Sequence, residues 1–382
     1  MFWWVSGGPY FTNETINIAA CPMMVSKLSV LAAVLGLCSN VMAQAQQSGP
    51  QLTQVYQNND FQLTGISVSK TRRLFVNFPR WSPDYLNAVV EAMPDGSSKP
   101  FPDEDWNRWD LDPKTAGNHL VCVQAMFVDD TDSLWILDPA APMLMSIIPG
   151  GPKLVKVDLK TNKVTRVLPV PPDVAKTNTY LNDLRFDNKR NFAYITDSGL
   201  GGIIVIDLST GKSHRALDGD PSVMPDKSVK IVIDGKPVLG PAGNTPAFHS
   251  DAIALSPAGD YLYYQPIAGT TLYRVKTDAL RDPQGKPTAE KFATTFPLDG
   301  IWMDSKSNIY LSNLQAKGVS RLTPDRKIQT IVTDPRLEWP DTFSQGPDGA
   351  LFITASHINE SPTYNKGKST RTTPYAVFKF KP

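Results

Sequence analysis

The sequence predicts an all-β fold, a six-bladed β-propeller whose N-terminal strand closes the last blade. Three observations carry that prediction. A unit made of an apolar strand, a polar turn and a second apolar strand recurs six times at the spacing of propeller blades. Long helical patterns are absent, and 33 prolines would interrupt them. The last unit stops after its third strand, whereas an unassigned strand-like segment, "QLTQVYQ" (51–57), precedes the first.

Before that segment, Lys27 is followed by the apolar run Leu28 to Leu37 and then by Val41-Met42-Ala43. These are the positive region, the short apolar region and the small-residue cleavage site of a secretory signal. The run is too short to span a bilayer comfortably. Met23 or Met24 is the natural start of such a signal, so residues 1–22 read as an upstream extension. Leu37, before Cys38, is bulkier than a lipoprotein site accepts, so cleavage is expected after Ala43. The expected organisation is extension and signal at 1–43, a linker at 44–50 and a single propeller at 51–382. The mature protein is expected to be secreted or periplasmic, free of the membrane and monomeric. Cys21 and Cys38 would leave with the signal, and Cys122, alone in "HLVCVQAMFV", reads as a buried small hydrophobe. The fold must therefore stand on its core.

Charge says less. Lys and Arg number 38 against 37 for Asp and Glu, a net charge of +1 with no basic stripe, which counts against nucleic acid as a partner.

The repeats begin at Thr64 ("TGISVSKTRRLFVNF"), Gln124 ("QAMFVDDTDSLWILD"), Asn182 ("NDLRFDNKRNFAYITD"), Asp251 ("DAIALSPAGDYLYYQ"), Asp299 ("DGIWMDSKSNIYLSN") and Asp341 ("DTFSQGPDGALFITA"). The intervals are 60, 58, 69, 48 and 42 residues. Third strands follow in most units, as in "KLVKVDL" (153–159), "GIIVIDL" (202–208) and "YAVFKFK" (375–381), and weaker fourth strands come after, as in "VTRVLPV". Segment 51–57 is expected to supply the missing outer strand of blade six. The irregular stretches 82–120 and 219–250 are expected to be insertions capping one end.

"FVNFPRW" (75–81), "PFPDEDWN" (100–107), "SLWILD" (133–138), "AYITDSGLGGIIVIDLSTGKSHR" (193–215) and "LEWPDTF" (337–343), in this order, resemble the major royal jelly/Yellow protein family. The resemblance implies a secreted six-bladed propeller. It implies no single activity: insect Yellow members are linked to pigmentation and to dopachrome conversion, salivary members bind biogenic amines in the central cavity, and others are nutritional or structural. A more distant resemblance is to the senescence-marker/gluconolactonase propellers, which hold a divalent metal at one mouth of the tunnel through a Glu at the first blade and Asn and Asp at later ones. Asn182, Asp251 and Asp299 stand at such starts, but Thr64 occupies the place of the Glu.

Registration of the repeats puts Thr64, Gln124, Asn182, Asp251, Asp299 and Asp341 where each innermost strand begins, around one end of the channel. Such a ring can receive a small ligand, or a divalent cation such as calcium on Asn182, Asp251 and Asp299. Alternatively, each Asp or Asn holds its own turn by accepting from nearby backbone N–H groups. Converging carboxylates repel unless something compensates them, which brings the ligand reading level with the turn reading. Asp129, Asp187, Ser256 and Asp304, five residues further on, read as hairpin turns; "DDTDS" (129–133) lacks the glycine and distant Glu of a calcium loop.

Trp81, Trp106, Trp109 and Phe248 lie in or beside the insertions, and Trp302 and Trp339 near inner-strand starts, so they could wall a pocket for an aromatic amine. His249, beside Phe248 and Asp251, is the most plausible acid–base group; His357 is a poorer one. No HExxH, zinc spacing or G-x-S-x-G elbow occurs, and "SGLGG" (198–202) precedes a strand rather than a phosphate-binding helix. The first expectation is a secreted propeller binding a small aromatic or cationic ligand. The alternatives are a metal-dependent lactonase-type hydrolase and a dopachrome-converting enzyme.

Overall fold

Strand residues point alternately to opposite faces, and each blade uses both faces to meet its two neighbours. In Phe192–Asp197, Ala193 and Ile195 pack toward Leu137 and Leu154 of the preceding blade, while Tyr194 packs toward Ile253 and Leu262 of the next. The computed structural model describes residues 49–382; the expected extension and signal lie outside them.

Among the described residues there are six four-stranded antiparallel sheets and one two-stranded hairpin. The innermost strands are Gly65–Val68, Ala125–Val128, Leu181–Asp187, Ser250–Leu255, Leu298–Met303 and Pro340–Gln345. Their starts fall within two residues of those expected. Blade six is completed as the sequence predicts. Strand Thr53–Asn58 runs antiparallel to the C-terminal strand Tyr375–Phe380, with Gln54 opposite Phe378 and Asn58 opposite Tyr375, and buries Tyr56.

The stretch 82–120 needs correction. It is no pure insertion, because Val89–Ala92 and Ser98–Pro100 are the third and fourth strands of blade one. These strands are short and alternate weakly, so they carry little periodic signal. The segment beyond them is anchored from blade two: the buried Lys153 ammonium donates to Asp138 at 2.8 Å and to the carbonyls of Ala116 and Gly151. The stretch 219–250 does form an insertion. Its hairpin, Val232–Ile233 with Lys236–Pro237, packs with Ile231 and Val238 into a cluster with Trp339 and Ile267. A further insertion, 356–374, carries the short 3₁₀ turns Ile358–Glu360 and Pro362–Tyr364.

The residues five positions after each strand start hold hairpins, as expected. Asp129 accepts from the backbone N–H groups of Thr131 and Ser133, and its other oxygen accepts from Trp135 Nε1 at 2.8 Å. Asp304 accepts in the same way from Lys306 and Asn308. Replacing Asp129 with Ala should lower stability by about 1–3 kcal/mol, since buried donors lose their acceptor. A urea midpoint unchanged in Asp129→Ala would remove this assignment. Cys122 is buried, and that burial pushes its thiol up to about 12, which fits an inert core residue.

Candidate functional site

In blades three to six the innermost strand is bulged at its first turn: the pairing slips between Leu181 and Leu184, between Ser250 and Ala252, between Leu298 and Ile301, and between Pro340 and Phe343. One extra residue in each slip re-aims the local side chains. Asn182, Asp251, Asp299 and Asp341 occupy these slips and turn into the channel. Hydroxyls of the second strands satisfy the backbone donors freed there. Thr196 accepts from the Asp183 N–H, Ser312 from Asp299 and Thr354 from Thr342, while Thr196 and Thr354 donate onward to the carbonyls of Asp251 and Thr64 in the next blade. The same bonds thus shape the bulges and join the blades.

Above the ring opens a cavity of about 970 Å³, lined by Gln124, Asn182, Asp251, Asp299 and Asp341 at its foot and by Trp81, Tyr180, Phe248, Trp339 and Tyr364 on its walls. All five foot residues are buried. Asn182 Nδ2 donates to Asp251 Oδ1 at 2.6 Å, and Trp339 Nε1 to Asp299 Oδ2 at 2.6 Å. On the blade-two side, Trp81 Nε1 donates to the Tyr180 hydroxyl at 2.8 Å, which donates to Gln124 Oε1 at 2.8 Å.

Among the described residues, no Lys, Arg or His forms an ion pair with Asp251, Asp299 or Asp341. Their carboxyls respond accordingly. Burial raises Asp299 to about 6, with the Trp339 hydrogen bond pulling the other way. Burial raises Asp251 well above the ordinary carboxylate range, helped by the charges of Asp299 and Asp341. Burial and Asp299 do the same to Asp341. Burial, then the Asp299 charge, also raises the Tyr364 phenol.

The column three residues below the ring in the repeat register closes the channel. Arg185, from blade three, donates to the Ile301 carbonyl of blade five at 2.8 Å and lies against the rings of Phe127 and Trp302. Its charge is taken by Asp183 beside it. Ser67, Ala254 and Ser344 hold the remaining places in this column.

The structure thus gathers Gln124, Asn182, Asp251, Asp299, Asp341 and Phe248 into one cavity, and leaves the other expected polar residues outside it. Thr64 is fully buried behind the ring, accepting from Asn77 Nδ2 and donating to the Gln124 carbonyl. His249 does not line the cavity; its Nδ1 lies 3.4 Å from the Ser198 carbonyl. His357 is likewise outside, buried and paired with Glu360 at 2.7 Å. Trp302 belongs to the opposite end of the channel from Trp339, because it sits in the lower column. Trp106 and Trp109 pack into the core around blades one and two. Sequence reasoning missed Tyr180, Tyr364 and Arg185. The repeat register held the signal for Arg185, since it shares a column with Phe127 and Trp302.

A calcium-type centre would need several charged oxygen ligands. Thr64 supplies no carboxylate and is turned away, and Asp251 and Asp299 already accept from Asn182 and Trp339. Among the described residues, no group of three or more His, Cys, Asp or Glu side chains is placed to hold a metal ion. A centre on Asn182, Asp251 and Asp299 would therefore lack the carboxylate that Thr64 does not supply.

The family model described as "Major royal jelly protein" matches residues 121–345. Major royal jelly protein 1 of Apis mellifera is 30% identical over 232 residues, covering 55% of this chain and 49% of that protein. Major royal jelly protein 3 of the same bee is 28% identical over 220 residues, covering 53% of this chain and 36% of that one. The matches thus span about half the length, or less, of these curated relatives. Among solved structures, a gluconolactonase from Xanthomonas campestris superposes with a TM-score of 0.54 at 12% identity, covering 87% of this chain and 89% of that one. Regucalcin from Agrobacterium tumefaciens, described as a calcium-binding protein, gives 0.53 at 15% identity, covering 87% and 93%. At these identities the likeness shows the fold alone.

Proposed function

The chain belongs to the major royal jelly protein family, and from that premise we propose that it binds a small organic cation with an aromatic portion in the cavity at the channel mouth. One observation carries this reading: three buried carboxylates meet at the foot of an aromatic-walled cavity, and among the described residues no Lys, Arg or His forms an ion pair with them. Buried like charges repel, so either they stay protonated or a cation joins them. An ammonium group would relieve the repulsion and form charge-assisted hydrogen bonds, while the rings of Trp81, Tyr180 and Phe248 would cover its apolar part. A lactonase-type metal reading shares the fold but lacks a carboxylate at Thr64. We place the protein outside the cytoplasm, on the strength of Lys27 and the apolar run after it.

The test is calorimetric titration of the protein at pH 7.5 with 2-phenylethylamine, with its neutral counterpart 2-phenylethanol, and with calcium chloride. The amine is expected to bind at least tenfold more tightly than the alcohol. Asp251→Asn and Asp341→Asn should each weaken it by about tenfold to a hundredfold, the worth of a hydrogen bond to a charged group. Equal binding of amine and alcohol would overturn the proposal, and saturable calcium binding without amine binding would replace it with the metal reading.

A further inference from the structure

The two amides at the foot of the cavity have opposite and fixed orientations. The Tyr180 hydroxyl receives the Trp81 N–H and gives its single hydrogen to Gln124 Oε1. Gln124 therefore turns its Nε2 group away from Tyr180. That nitrogen has no protein acceptor among the described residues, on a side chain that is more than nine-tenths buried and lines the cavity. Asn182, on the neighbouring blade, is reversed: Nδ2 is committed to Asp251, and Oδ1 has no donor among the described residues. The ring is thus polarised. Acceptors and acids occupy blades three to six, and a neutral donor faces the cavity from blade two.

Such a donor costs free energy when a bound ligand covers it without accepting its hydrogen bond. A ligand seated on Asp251 of blade four reaches Gln124 of blade two past Asn182, which stands on blade three between them and donates to Asp251 in the same cavity. We infer that the site selects amines that carry a hydrogen-bond-accepting oxygen close to the cation, with Gln124 Nε2 as the group that reads this oxygen. This rests on the amine reading above and adds to it the second polar feature of the ligand. Gln124 becomes a specificity-determining residue.

A matched pair of probes isolates that feature. In 2-methoxy-2-phenylethylamine the ether oxygen can only accept. In 2-phenylbutan-1-amine a methylene replaces that oxygen at nearly the same shape. The protein should bind the methoxy compound roughly tenfold more tightly, the factor a single hydrogen bond supplies. Gln124→Glu retains an oxygen for the Tyr180 hydroxyl but replaces the cavity-facing N–H₂ with an acceptor, so it should abolish or invert the preference while the variant still binds both amines. Equal affinities of the unaltered protein for the two probes would overturn this inference and leave the amine reading standing. A preference that survives in Gln124→Glu would take the role from Gln124. Failure of both probes to bind would overturn both readings together.

Discussion

Removal of residues 49–58 should lower the stability of the protein by roughly 5 kcal/mol or more, enough to leave much of it unfolded or aggregated. The strand Thr53–Asn58 is the outer strand of blade six, and it pairs with Tyr375–Phe380, at the opposite end of the described chain. Leu52, just before it, and Tyr56, on it, are buried, and each such side chain contributes about 1.5–3 kcal/mol. Several ladder hydrogen bonds go too, at about 0.5–1.5 kcal/mol each. The shortened chain is left with an open edge at Tyr375–Phe380, whose buried Val377 and Phe378 face blades that no longer close on them, and such an edge invites pairing between molecules. Urea unfolding and light scattering of the shortened chain beside the intact one measure both effects. An unchanged midpoint would mean that the ring does not depend on this closure.

The ligand-free protein should lose stability as pH rises. Asp299, Asp251 and Asp341 all bind protons more tightly in the folded state than in the unfolded chain. Between the two values the folded state holds more protons, so the slope of stability with pH is negative. The contribution is fully present below the ordinary carboxyl value of 3.8 and, for Asp299, is gone once pH has passed about 6. For that residue alone it amounts to roughly 3 kcal/mol. Asp251 and Asp341 extend the loss to higher pH. Asp251→Asn and Asp299→Asn keep the shape and an accepting oxygen but discard the charge. Each should therefore raise ligand-free stability at pH 8 by about 1–2 kcal/mol and change little at pH 4. If these residues merely held turns, both variants would instead lose about 0.5–1.5 kcal/mol at every pH. Urea midpoints at pH 4.5, 6 and 8 separate the two, and a uniform loss would end the functional reading of the ring.

Much of the site was legible because a repeat turns one dimension of sequence into a ring. Once the units were registered, Asn182, Asp251, Asp299 and Asp341 had to fall at equivalent places around one axis. The same register failed for Thr64 and Gln124 in different ways. Blades one and two lack the bulge that re-aims the first residue, so Thr64 turns into the wall, while Gln124 still reaches the cavity with its longer side chain. The bulges themselves left no mark in the hydrophobic pattern, because an extra residue at a strand start reads like a longer loop. Trp302 was misplaced because three residues along a strand cover about 10 Å, enough to move a side chain from one end of the channel toward the other. Tyr364 and Tyr180 come from segments outside the inner strands, and nothing local in "SPTYNK" or "TNTYLN" tells that they meet over a shared space. The outer strands of blade one were invisible for a plainer reason: "VVEA" and "SKP" are too short to show a period.

Arg185, stretched from blade three to blade five, makes the cavity a cul-de-sac. A guest must arrive and depart by the same doorway, and the water it displaces must leave against its direction of entry. That doorway is edged by Met143, Leu144 and Met145, which are exposed, and by no group that the seated guest's cation needs. A bulkier or stiffer edge would slow arrival and departure in the same proportion. Residence time can therefore be set at the rim while affinity is set at the foot, and the two can drift apart in related chains without either disturbing the other.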